Sequence, residues 1–205
     1  MDVLEAAQSK TIPKRNERTD KEKEGDKMNF YIADTHFGHK NCITFDHRPF
    51  ESVEEMDRIM IDAWNSTVGQ DDEVYILGDF CFKSSAKSRN YLSRLTGKKY
   101  LITGNHDGVT LKDEEARKYF EIITPYLVIH DEGERIVLCH YPIAEWEGMR
   151  KGAWHIYGHI HANRDETFEF MKTRERALNA GCMINNYCPV TFKQLVQNNK
   201  IYLMG

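Results

Sequence analysis

No apolar run in the chain approaches the ~20 residues that a membrane-spanning helix needs, and the N-terminus lacks the hydrophobic stretch of a secretory signal. Cysteine occurs five times, as Cys42, Cys81, Cys139, Cys182 and Cys188. That odd, scattered set contains no C-x-x-C pair, which argues against a disulfide framework and suits reduced thiols in a cytoplasm. A strong charge of either sign is missing too. The 28 Lys and Arg against 32 Asp and Glu leave a net −4, so nothing global favours tight binding of a polyanion, although a local basic patch stays open. What remains is the balance of a soluble globular protein, 40% hydrophobic and 29% charged over 205 residues. That length allows one domain with a substantial core and is too short for two ordinary ones.

Apolar residues also nearly vanish between Lys10 and Lys27, where Lys, Glu, Asp, Arg and Thr dominate. Residues 1 to about 27 are therefore expected to be a disordered extension, or to lie upstream of a native start at Met28, with at most a helical turn over Val3 to Ala7. From Met28 the pattern alternates strand, loop and helix. Ser52 followed by Glu55 predicts a capping box opening a helix through Trp64, with Val53, Met56, Ile59, Met60, Ala63 and Trp64 turned to the core. Further helices are expected over 85–95 and 112–120. Residues 176–180 read as a strand, 191–197 as a helical turn and 201–203 as a closing strand. Strands spaced by helices, then a strand-rich second half, predict a layered α/β sandwich with two central sheets.

Five apolar strand-like runs each end in residues of the kind that bind metals. The runs are Phe30 to Ala33, Val74 to Leu77, Tyr100 to Ile102, Ile136 to Cys139 and Trp154 to Tyr157. They lead into Asp34-Thr35-His36, Gly78-Asp79, Gly104-Asn105-His106-Asp107, His140, and Gly158-His159-Ile160-His161. In layered α/β proteins, ligands gather at the carboxyl ends of strands, where distant loops converge. Hard oxygen donors and imidazoles alternate through the series, as a pair of divalent cations requires. Gly104 and Gly158 fit sharp turns and close backbone approach. A donor set of about seven groups without a thiol argues against a cysteine-rich structural zinc site.

In order and content these segments resemble the calcineurin-like metallophosphoesterase family. They are closest to its small single-domain bacterial members, which share the opening Asp34-Thr35-His36-Phe37-Gly38-His39 and a following Arg48-Pro49-Phe50. The resemblance spans nearly everything from Met28 onward, so 28–205 is expected to be one metallophosphoesterase domain. One departure lies at Met183, near which that family commonly carries an acidic residue. The resemblance implies a four-layer αββα sandwich with two central mixed β-sheets.

It also implies residue roles. Asp34, His36 and His161 hold one metal, Asn105, His140 and His159 the second, and Asp79 bridges them, offsetting the repulsion of two dications about 3.5–4 Å apart. The implied cofactors are two divalent metal ions, manganese first, with iron, zinc, nickel or cobalt also compatible. A hydroxide bridging them would attack phosphorus in line. His106 is implied as general acid to the leaving oxygen or as a stabilising cation, and Asp107 as the carboxylate orienting its imidazole. His39 and Arg48 are weaker candidates for substrate contact; Arg48 could equally pin its loop by a salt bridge. Arg150, Lys151, Arg164, Lys172, Arg174 and Arg176 are expected around the His140 and His161 loops, as further phosphate contacts. The implied activity is metal-dependent hydrolysis of a phosphate ester, with a phosphodiesterase favoured because the chain has no room for a cap. A phosphomonoesterase is the alternative, and a binding module on the same fold the least favoured. A nucleotide or nucleic acid is an admissible substrate, and no membrane partner is expected.

Overall fold

The computed structural model describes residues 27–82 and 88–204. The expected N-terminal extension and the start of the helix expected over 85–95 lie outside the described residues. Four strands form a first sheet in the order β1-β2-β3-β4: Asn29–Ile32, Glu73–Ile76, Lys98–Ile102 and Phe120–Thr124, parallel throughout. The second sheet runs β5-β6-β7-β8: Tyr126–Asp131, Glu134–Cys139, Trp154–Tyr157 and Ala177–Asn179. Here β5 is antiparallel to β6 and the rest are parallel, so the mixed character sits in this sheet alone. The β5–β6 turn consists of Glu132 and Gly133, both at positive φ, which is the two-residue hairpin geometry that matches strand twist.

Side-chain alternation assigns the layers. Tyr31, Tyr75, Leu77 and Ile102 of the first sheet pack with Ile136, Leu138, Ile156 and Leu178 of the second in one buried cluster, so the sheets stack face to face. Phe30, Ile32, Val74, Ile76 and Leu101 point the other way, onto Met56, Met60, Ile61 and Trp64 of the helix Val53–Thr67. Ser52 Oγ accepts the Glu55 N–H at its start, as the capping pattern predicts. Val137, Tyr157 and Ala177 meet Phe168 and Met171 of the helix Glu166–Lys172 on the outer face of the second sheet. Helix, sheet, sheet, helix is the predicted four-layer order. Because both faces of each sheet are covered, the central strands read as continuous apolar runs.

Two expected elements differ. The helix expected over 112–120 is interrupted at Asp113, whose carboxylate caps the N–H groups of Glu115 and Ala116 and separates Gly108–Lys112 from Glu114–Arg117. The closing strand expected over 201–203 is instead the last part of a helix, Phe192–Met204. Tyr202 there packs edge-on against Phe168, with ring centroids 5.1 Å apart. A three-residue apolar run carries too little periodicity to separate strand from helix.

The segment before that helix closes the side of the sandwich. Tyr31 and Val190 exchange backbone hydrogen bonds, and the Ala33 N–H reaches the Ala180 carbonyl at 2.8 Å. The β1 edge is thereby covered. The carboxyl ends of β1, β2, β3, β6 and β7 open toward one end of the molecule.

Candidate metal centre

The loops at that end are tight. Asp34, His36, Asp79, His159 and His161 all have positive φ, between 49° and 71°. A non-glycine residue in this region costs on the order of 1–3 kcal/mol and persists where its surroundings over-determine it. Cross-loop backbone bonds do so here: His36 N–H to the Asp79 carbonyl at 2.9 Å, and Gly158 N–H to the His140 carbonyl at 2.9 Å. Gly104 has no spare volume, since a Cβ there would lie 2.5 Å from Asp79 Oδ1 and 2.9 Å from His140 Cε1.

The geometry that results brings all seven expected ligands together in two sets. His36 Nε2 lies 3.2 Å from His161 Nε2, and Asp34 Oδ1 lies 4.0 Å from the same His161 atom. On the other side, Asn105 Oδ1 is 3.1 Å from both His140 Nε2 and His159 Nδ1. Between the sets stands Asp79, with Oδ2 at 3.7 Å from His36 Nε2 and at 3.7 Å from His140 Nε2. Two donors at right angles around a cation, each about 2.1 Å from it, lie roughly 3.0 Å apart, so these spacings suit cations. Asp34 also reaches the second set: its donors cluster with those of Asp79 and His140 as well as with those of His36 and His161.

The lone pairs of His36 and His140 favour the same use. Burial, then the neighbouring His161 and Arg48, drives the His36 imidazole down to about 2, so it is neutral and keeps a lone pair. Its Nδ1 has no hydrogen-bond partner among the described residues. His140 places Nδ1 2.8 Å from the Leu77 carbonyl, which holds the proton there and frees Nε2 for the set. Burial pushes the Asp34 carboxyl up to about 6, opposed by His161 and His140. His161 differs. Burial lowers it, but a 2.7 Å contact from Nδ1 to Asp46 Oδ1 and the charge of Asp34 outweigh that, and its affinity for a proton is raised.

Asp46 is a residue the sequence reading did not single out. It belongs to no motif segment, and the one available signal was its place two residues before Arg48. Its other oxygen, Oδ2, accepts from Arg48 Nε at 3.0 Å. Arg48 is fully buried and donates further to the carbonyls of Asp34 and Thr35 at 3.0 and 2.9 Å. Of its two readings, the loop-pinning salt bridge is therefore the one realised, and its fork is turned away from the cleft. Asp107 is also a correction. It does not face the His106 ring; its oxygens accept backbone N–H groups from Gly104, Asp79 and Phe80 at 2.7 to 3.0 Å. Buried under two turns, it satisfies donors that the strained backbone leaves without partners.

His106 is exposed at the mouth, its N–H held by Asp79 Oδ1 at 2.8 Å. It lines a cleft of about 360 Å³ with His36, His39, Phe45, Asp46, His159, His161 and Asn163. His39 is mostly buried there and stacks on Phe82 with ring centroids 3.6 Å apart. The expected basic cluster divides. Arg176 packs over Trp154, at the start of β7, and donates to the Gly152 carbonyl. That places it at the opposite end of the sheet from the cleft, and Arg174 and Arg150 line a hollow with it there. Arg164 is held over the rings of Phe168 and Tyr202.

No family model matches the chain. The uncharacterized protein MJ1445 of Methanocaldococcus jannaschii is 34% identical over 170 residues, 82% of this chain and 89% of that one. Gene 66 protein of Mycobacterium phage L5 is 30% identical over 160 residues, 65% of this chain and 77% of that one. Among solved structures, the protein of unknown function AQ665 from Aquifex aeolicus superposes with a TM-score of 0.66 at 28% identity, covering 86% of this chain and all of that one. A nuclease MPE from Pseudomonas putida, at 19% identity and a TM-score of 0.43 over 65% of this chain and 60% of that one, is a likeness too loose to bear on chemistry.

Proposed function

We propose that this chain, which belongs to the family of Methanocaldococcus jannaschii MJ1445 and the Mycobacterium phage L5 gene 66 protein, is a metal-dependent phosphoesterase acting on diesters. The observation that carries the reading is Asp79, one oxygen of which sits 3.7 Å from an imidazole of each donor set. Asp34, His36 and His161 would hold one divalent cation, Asn105, His140 and His159 the other, and Asp79 would be shared. Two such cations supply charge neutralisation at phosphate and an acidified water.

The chain's own groups do the rest. His106 is exposed at the mouth, its ring edge-on to that of His36 with centroids 5.4 Å apart, and its imidazole would hand a proton to the departing oxygen. The Asp79 oxygen bonded to its N–H fixes the backbone from which the ring extends. His39, wedged against Phe82, offers a second ring at the same opening. Arg48 is buried and no Lys or Arg lines the cleft among the described residues, so a dianionic monoester finds little side-chain charge there. A diester carries a single negative charge and needs an open mouth for its second arm. The test compares bis-nitrophenyl phosphate with nitrophenyl phosphate on manganese-loaded protein. After correction for intrinsic reactivity, kcat/KM should favour the diester; a clear preference for the monoester overturns that part of the reading.

A further inference from the structure

Two large aromatic rings stand exposed beside the donor sets, and neither has a place in the chemistry above. Phe45 is 53% exposed and Tyr141 43%. The Phe45 ring lies 5.5 Å from the His39 ring and 6.2 Å from that of His161. The Tyr141 ring lies 4.8 Å from His159 and 4.9 Å from His140. His161 belongs to one donor set, and His140 and His159 to the other. The two rings therefore flank the site at opposite ends of the line that runs through Asp79. Each is carried by anchored backbone. Phe45 immediately precedes Asp46, which is bonded to both Arg48 and His161. Tyr141 follows His140, whose Nδ1 is fixed on the Leu77 carbonyl.

We propose that the site takes a nucleotide diester, with Phe45 and Tyr141 as platforms on which the bases at either side of the phosphate stack. The inference rests on the phosphoesterase reading and names its substrate class. Every base has a π-face, so such platforms recognise nucleosides without reading sequence. Charge sets the length. The net −4, the placement of Arg174 and Arg176 at the far end of the sheet and a cleft lined by no Lys or Arg among the described residues favour a short substrate over a long polyanion. Short substrates of a few nucleotides fit best.

Thymidine 5′-(nitrophenyl phosphate) and methyl nitrophenyl phosphate share a leaving group and a diester charge, and differ in one nucleoside. With the full chain loaded with manganese, the ratio of their kcat/KM values should be at least about five after correction for intrinsic reactivity. It should fall by about five-fold to about a hundred-fold in whichever of Phe45→Leu and Tyr141→Leu removes the platform under the single base, the range of a lost base–aromatic stack. A dinucleotide containing 2-aminopurine gives a readout independent of turnover: its fluorescence should be quenched on binding, and less so in the same variants. If methyl nitrophenyl phosphate is hydrolysed but neither variant alters the ratio or the quenching, stacking is overturned and the phosphoesterase reading stands. If no ester is hydrolysed, both fall.

Discussion

Asp46 places one oxygen 2.7 Å from Nδ1 of His161 and gives the other to the buried guanidinium of Arg48. The ring is thereby held with Nε2 toward His36, and Arg48 extends the clamp to the carbonyls of Asp34 and Thr35. Carboxylates behind ligating histidines typically contribute 10- to 100-fold in metal affinity. On the proposed two-metal reading, Asp46→Asn should weaken one of two equivalents by about that factor, as read by calorimetric titration of metal into the folded variant. Equal weakening of both, or of neither, would remove Asp46 from the site. His106→Ala should keep both equivalents yet lose roughly 10²–10⁴-fold in rate. The loss should shrink with a nitrophenol leaving group, which needs little protonation; the same loss on poor and good leaving groups would assign His106 to electrostatics. At this scale the motif residues were legible because each follows an apolar run, and all seven expected ligands meet. Asp46 was not, and Asp107 was legible as a site residue but not by its partners. Their partners lie 115 residues away in one case and are backbone N–H groups in the other, and sequence adjacency reports neither.

The elements place those residues by ending where they do. Five strands expected from apolar runs are present, because parallel strands covered on both faces leave an unbroken apolar trace. Strands β4 and β5 left no such trace: β4 carries two exposed residues after Phe120, and β5 is exposed or half-buried along its length. Residues 191–197 and 201–203 read separately as a turn and a strand because polar residues interrupt the apolar face of the helix that ends the described chain. The left-handed backbone at five expected ligands was likewise invisible, as none of them is glycine. Glycine does appear where contact forbids anything larger. Gly104→Ala would push a methyl to 2.5 Å from Asp79 Oδ1 and 2.8 Å from its backbone nitrogen. We expect a loss of about 1–3 kcal/mol in stability from overpacking, together with weaker metal binding. A variant with normal melting temperature and full metal content would show that the two loops are less tightly fitted than their distances imply.

For the molecule as a whole, burial of histidines shapes the response to acid. His155, on β7, is buried with its ring bonded to the Val137 carbonyl and the Ile143 N–H. Desolvation is the chief cause that lowers its imidazole to about 4. The unfolded chain takes up that proton near pH 6.5 and the folded one does not, so stability is present above the unfolded value and is lost as pH falls from 6.5 toward 4. That loss should reach about 2–3 kcal/mol between pH 7 and 4.5. His155→Gln can keep both hydrogen bonds without titrating. Denaturant unfolding should show the gap between the two proteins shifting by that amount in favour of the variant at low pH, and a constant gap would contradict the assignment.

The four layers bring five strand ends together so that two donor sets face one shared carboxylate. The most direct measurement is hydrolysis of bis-nitrophenyl phosphate by protein stripped of metal and then titrated with manganese. The account predicts no turnover without metal and a plateau at two equivalents per chain. Full turnover in the presence of a chelator, or a plateau at one equivalent, would contradict it.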